Sequence, residues 1–157
     1  VIRRGVLIVA AVFAAGAAAQ SPSGALRLGP DEYRFSEKAG AGSSGTAGIQ
    51  STVLKGDPEK PGLYTIMLKI PPNTSIAAHA HRDDRVATVV SGDWSIGYGA
   101  AFDTAGLKRL APGGYYTEPP GLAHYARTGP AGAVVMITGY GPTDTRPVVP
   151  PGRGEGG

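Results

Sequence analysis

The sequence predicts an all-β chain, an antiparallel sandwich or barrel. Three observations carry that reading. Its 157 residues include 25 Gly and 14 Pro, which break the chain into short segments and disfavour a helical bundle. The segments between them are rich in β-branched and aromatic residues, and they follow one another closely. No segment sustains a helical period of apolar residues. With 41% hydrophobic residues the chain has enough material for a core, which excludes wholesale disorder.

Taken in order, residues 1–19 read as a secretory signal peptide. Arg3 and Arg4 give a positive start, Val6 to Ala19 an uncharged run, and Ala17-Ala18-Ala19 the small residues before Gln20. The run is shorter than the roughly 20 residues a membrane-spanning helix needs. The alternative is a buried or membrane-anchoring N-terminal helix. Cleavage places the mature protein in a bacterial periplasm or outside the cell, with no membrane attachment. It also lowers the formal charge from +3 to +1, because Arg3 and Arg4 leave with the peptide. No basic stripe with interleaved aromatics remains, so nucleic acid is not an expected partner. The absence of cysteine excludes a disulfide scaffold, a thiolate metal site and a thiol nucleophile.

Residues 20–48 form a leader and flexible region, in which Ser36 to Gly48 is rich in Gly, Ser and Ala and reads as a loop. The barrel itself is expected over residues 49–140. Its strands are Ile49 to Lys55, Leu63 to Ile70, Val86 to Ser91, Trp94 to Tyr98, Tyr115 to Glu118, His124 to Thr128 and Ala133 to Tyr140. Gly92-Asp93 is a hairpin signal between two of them. Phe102 to Leu110 is expected to hold a short turn of helix within a loop. Residues 141–157 are a Pro/Gly-rich tail in which no regular element is expected.

The chain carries three histidines, His79, His81 and His124. On an extended strand His79 and His81 project from the same face, so two imidazole nitrogens supply half of a metal site. His124 follows the turn Pro119-Pro120-Gly121. An H-x-H pair alone is often no more than two exposed histidines.

The surrounding residues say more. His79-Ala80-His81 followed by Gly92 resembles the first motif of the cupin superfamily, H-x-H, a short spacer, a glutamate and a later glycine. Gly113, Pro119, Gly121 and His124 match the second, G-x-x-x-x-x-P-x-G-x-x-H, at each fixed position; the asparagine often found beyond it is Thr128 here. The resemblance spans residues 72–128 and is that of a small exported single-domain cupin of uncharacterised function. It implies an antiparallel jelly-roll barrel (a double-stranded β-helix) that holds one small-molecule ligand. It also implies that His79, His81 and His124 bind a divalent metal ion, Fe, Mn, Ni or Zn. The family's glutamate ligand does not carry over: Arg85 and then Val86 stand in its place, and an arginine has no lone pair to offer a metal.

Arg85 shares strand parity with the two histidines and is expected to face the site, where a guanidinium needs a carboxylate or an anionic ligand. Glu118 is the candidate partner. Two readings stay open: Glu118 replaces the missing glutamate as ligand or general base, or it pairs with Arg85 and leaves the metal three histidines. Asp83 and Asp84 are a weaker source of carboxylate, in what reads as a solvated bend. Trp94 and Tyr98 share parity and are expected to line one wall.

Function stays open between two classes. One is a metal-dependent enzyme, a dioxygenase-like oxidoreductase or an isomerase, acting on a small molecule, with Arg85 either holding an anionic group of that substrate or pairing with Glu118. The other is a non-catalytic module that binds a sugar or organic acid over a degenerate site. Exposed barrel edges make a homodimer plausible. Fold alone cannot choose among these.

Overall fold

The computed structural model describes residues 24–149; the segment read as a signal peptide lies outside them. Two compact units divide at Glu32. The described part of the first carries a 3-10 turn, Pro30–Glu32. The second, from Tyr33, carries every strand: β1 Gln50–Lys55, β2 Gly62–Ile70, β3 Ser75–Ala80, β4 Arg85–Tyr98, β5 Lys108–Leu110, β6 Tyr115–Glu118, β7 His124–Gly141 and β8 Arg146–Pro147.

All strand pairs are antiparallel, and β4 and β7 organise them. The C-terminal half of β7 pairs with β2 from Ala133 to Gly141, and its N-terminal part pairs with β3. β4 runs beside β7 from Arg85↔Gly139 to Tyr98↔His124. On its other edge β4 pairs with β6 and then β5. Two sheets result, β1-β2-β7-β4-β6 and β8-β3-β7-β4-β5, sharing their two long strands. This is the jelly-roll barrel that the sequence predicts.

The core follows from the pleat. Tyr64, Ile66, Leu68 and Ile70 alternate inward along β2, and Val135 and Ile137 do so along β7. They meet Ile76, Val89, Trp94 and Ile96 in one cluster. Burial of this set is the principal stabilising term of the fold.

Four expectations need correction. Gly92-Asp93 makes no hairpin: β4 passes through it as one strand, irregular between Gly92 and Trp94. Gly92 sits at φ 84°, and a Cβ there would lie 2.2 Å from the carbonyl oxygen of Gly132 on β7. The glycine therefore marks an irregularity where two paired strands approach closely, not a chain reversal. The expected strands at His124 and Ala133 are likewise one strand, β7. Phe102 to Leu110 holds no helix, and its end is β5, whose main chain pairs with β4 at Trp94 to Ile96.

The tail differs most from expectation. Arg146–Pro147 pairs with Ala80 and His79 of β3, and the Val148 amide donates to the Ala78 carbonyl at 3.0 Å. Proline at this edge position loses nothing, because only one side of the strand is paired.

Candidate metal centre

Register assembles the site. His79 on β3 stands opposite His124 on β7, and Arg85 at the start of β4 stands opposite Glu118 at the end of β6. The first pair belongs to one sheet and the second to the other, and both point into the space between. His81 follows β3, in the bend that leads to β4. All five residues are buried.

One ring nitrogen from each of His79, His81 and His124 lies within 4.8 Å of the others. The remaining nitrogen of each ring is already used. His79 Nδ1 meets the Ala77 carbonyl at 2.9 Å, His124 Nδ1 the Leu122 carbonyl at 3.1 Å, and His81 Nδ1 the Asp144 carbonyl at 2.5 Å. A carbonyl only accepts, so each Nδ1 carries the proton and each Nε2 keeps a lone pair. His81 Nε2 and His124 Nε2 are buried with no hydrogen-bond partner. Orphaned buried acceptors are costly unless something satisfies them. Three imidazole lone pairs converging from carbonyl-anchored rings fit a divalent metal ion.

Electrostatics agrees with that donor state. Burial lowers the pKa of His79 to about 4. Burial and the Arg85 charge bring His81 to about 4 as well. Both rings are therefore neutral near pH 7, as metal ligands must be.

Glu118 is 3% exposed and faces inward. Its Oε2 accepts from Arg85 Nε at 2.7 Å and from Arg85 Nη2, while Arg85 Nη1 donates to the Gly42 carbonyl at 2.8 Å. Its Oε1 stands 3.5 Å from His124 Nε2. Burial raises the carboxyl pKa, but the charge and hydrogen bonds of Arg85 outweigh it and hold the group below its usual value. The pairing with Arg85 uses Oε2, which also lies 3.9 Å from His81 Nε2, while Oε1 is free of Arg85 and stands toward His124. Of the two roles expected for Arg85, an anionic ligand or a pairing with Glu118, the structure contains the pairing, with Gly42 as a further acceptor.

Asp83 does not lie in a solvated bend. It is buried, accepting from Tyr64 Oη at 2.6 Å and from Thr143 Oγ1 at 2.6 Å, so it does not ligate; Asp84 is exposed. Trp94 lines the interior, but Tyr98 is 47% exposed at the strand end and donates to the Thr117 carbonyl, so the two share no wall. Thr128, at the family's asparagine position, is buried and ties β7 to the preceding turn through the Pro71 carbonyl at 2.7 Å. The carbonyls of Gly42 and Asp144 carry no side-chain signal that sequence reasoning could have used.

The space beside His79, His124 and Glu118 is about 20 Å³, room for one water-sized molecule. Its walls are otherwise largely apolar, with Leu68, Ile70, Ile76, Trp94 and Ile137 among them.

A jelly roll with inward histidines from both motifs is a cupin. More narrowly, the chain belongs to the ChrR cupin-like domain family, whose model matches residues 38–144. Solved structures share the fold at low identity. The polyketide cyclase RemF from Streptomyces resistomycificus aligns at TM-score 0.62 and 17% identity, over 82% of this chain and 88% of that one. KdgF from Halomonas sp. aligns at 0.53 and 19%, over 71% and 90%. An RmlC-like cupin from Shewanella frigidimarina aligns at 0.53 and 20%, over 72% and 87%. A search of the curated proteins found no match.

Proposed function

We propose that the protein is an exported, metal-dependent cupin enzyme in which His79, His81 and His124 hold a divalent cation and Glu118 Oε1 is the fourth ligand. The observation that carries this is the set of three rings anchored by carbonyls at Nδ1, with buried, unpartnered Nε2 atoms on His81 and His124. When bound, the ion supplies Lewis acidity toward a substrate oxygen, or an oxygen-activating centre if it is iron.

The chain's own residues do the rest. Arg85 keeps Glu118 ionised and fixes one of its oxygens, so the other is presented in a single orientation. Largely apolar walls limit the space beside the ligand atoms to about one water-sized group. With Arg85 occupied by Glu118, the substrate proposed is neutral and reaches the ion through a single oxygen function. Isomerisation or oxygenation of such a molecule are the reactions that fit. Export rests on residues 1–19 alone, and fractionation of the producing cell tests it.

The small volume favours a second reading, a non-catalytic module whose ion only ties the two sheets together. Elemental analysis of untagged protein beginning at Gln20 addresses the shared premise. About one equivalent of metal, lost in His79→Ala and in His124→Ala, is expected. Protein that stays empty after incubation with Fe(II), Mn(II), Ni(II) and Zn(II) overturns both readings. Given a loaded site, displacement of bound water by small oxygenated probes, followed through the relaxation of Mn(II)-bound water protons, separates them: the enzyme reading requires exchange.

A further inference from the structure

The three rings are not anchored alike. His79 and His124 each use a carbonyl two residues earlier in the chain, Ala77 within β3 and Leu122 in the turn just before β7. His81 uses the carbonyl of Asp144, far along the chain, in the segment between β7 and β8. Its orientation therefore depends on where that segment lies.

The segment is fastened on every side. Thr143 Oγ1 donates to buried Asp83 Oδ1 at 2.6 Å, and the Thr143 amide to the Pro58 carbonyl at 2.8 Å. Asp144 Oδ1 accepts from the Arg82 amide at 2.8 Å, the residue next to His81, and Asp144 Oδ2 from Arg146 Nε at 2.7 Å. Thr145 Oγ1 donates to the Ser43 carbonyl at 2.6 Å, in the loop whose Gly42 carbonyl holds Arg85. β8 then pairs with β3 beside His79.

We infer that residues 143–147 are a strap that positions His81, so that Thr143, Asp144 and Thr145 are positioning residues for the metal. The inference rests on the metal reading above and goes beyond it. A strap that is docked presents the His81 Nε2 lone pair; a strap that is released lets the ring rotate and change tautomer. Metal affinity and strap docking are then coupled, and the coupling is reciprocal: bound metal must hold the strap as strongly as the strap favours the metal. Outer-shell partners of ligating histidines typically affect metal affinity 10–100-fold.

The test uses the full chain. Asp144→Ala removes both side-chain clamps at a partly exposed position, and Thr143→Val removes the bond to Asp83. Asp144→Asn and Thr143→Ser are the conservative variants. Thr65→Val, which breaks the Thr65–Thr138 hydroxyl pair on β2 and β7, controls for general loosening. Zn(II) dissociation constants come from chelator competition. Imidazole ¹⁵N spectra of the metal-free protein read the His81 tautomer directly.

The expected result is Zn(II) affinity about 10-fold or more weaker in Asp144→Ala and Thr143→Val. Asp144→Asn, Thr143→Ser and Thr65→Val should stay near wild type. The protonated Nδ1 signal of His81 should be lost selectively, with those of His79 and His124 retained. Wild-type affinity in Asp144→Ala and Thr143→Val, or an equal loss in Thr65→Val, overturns the inference. If wild-type protein binds none of Fe(II), Mn(II), Ni(II) and Zn(II), the metal reading fails. The strap assignment is then decided by the ¹⁵N spectra alone, and an unchanged His81 signal in both strap variants rejects it.

Discussion

Arg85→Met tests the buried ion pair most directly. Arg85 is 2% exposed and Glu118 3%, and the guanidinium donates to Glu118 Oε2 through two nitrogens and to the Gly42 carbonyl through the third. Methionine fills much of the stem's volume but leaves a buried carboxylate without its cation. Removing one partner of such a pair costs about 3–5 kcal/mol. For a domain of this size that corresponds to a fall in Tm of roughly 10–15 °C. The pH dependence follows by linkage. In the wild type the Glu118 pKa lies below its ordinary 4.5, so its contribution is present above that value and is lost as pH falls through the folded value. In the variant, burial acts without Arg85 and lifts the carboxyl, so the folded variant takes up a proton sooner and is relieved as pH falls. The cost of the substitution is therefore largest near neutrality and narrows toward pH 4.5. Adding Glu118→Leu removes the stranded charge and recovers most of the loss, leaving about 1 kcal/mol for the unpaired Gly42 carbonyl. Urea unfolding with a chelator present, run as a double-mutant cycle at several pH values, measures all of this. A cost below about 1 kcal/mol, a cost flat in pH, or a double variant no better than Arg85→Met refutes the reasoning.

Other expectations follow from the same geometry. Because burial holds His79 and His81 at about 4 against an ordinary 6.5, metal-free protein is expected to lose stability as pH falls from 6.5 toward 4; a titration by denaturant midpoint that is level over that window would contradict it. Gly92→Ala drives a Cβ into the Gly132 carbonyl at φ 84° and should cost more than about 2 kcal/mol or prevent folding. Gly121→Ala, at φ 72° in open space, should cost only about 1 kcal/mol, and equal melting temperatures for the pair would sink the argument. Tyr64→Phe strips one donor from buried Asp83 and should cost about 1–3 kcal/mol by thermal melting, with Zn(II) affinity the check that the strap still holds through Thr143.

Much of the site was legible because its signals are local. Histidines one residue apart share a strand face, and a glycine and a proline at fixed offsets place His124 beyond a turn. The inward placement expected of Glu118 came from the mismatch of an arginine at a ligand position. What escaped was what depends on the register of distant strands. Gly92-Asp93 has the composition of a hairpin, but whether a glycine reverses the chain or lets a paired strand approach closely depends on Gly132, forty residues on. Asp83 looked solvated within its Arg-Asp-Asp-Arg cluster, and only Tyr64 and Thr143 arriving from elsewhere make it a buried acceptor. The tail was misread because its docking partners, Asp83, the Arg82 amide, Ser43, Pro58 and β3, all lie far away in sequence, and proline content says nothing of them.

The two shared strands set a limit on how anything reaches the interior. β4 and β7 each run through both sheets and stay paired along nearly their whole length. The faces have no spine about which to swing apart, and separating them means tearing that seam. The 42–44 loop and the 143–145 segment, joined by the Thr145–Ser43 hydrogen bond, lie outside that seam and can yield without breaking it. Entry to the interior is therefore expected to follow the opening of such loops and not breathing of the wall.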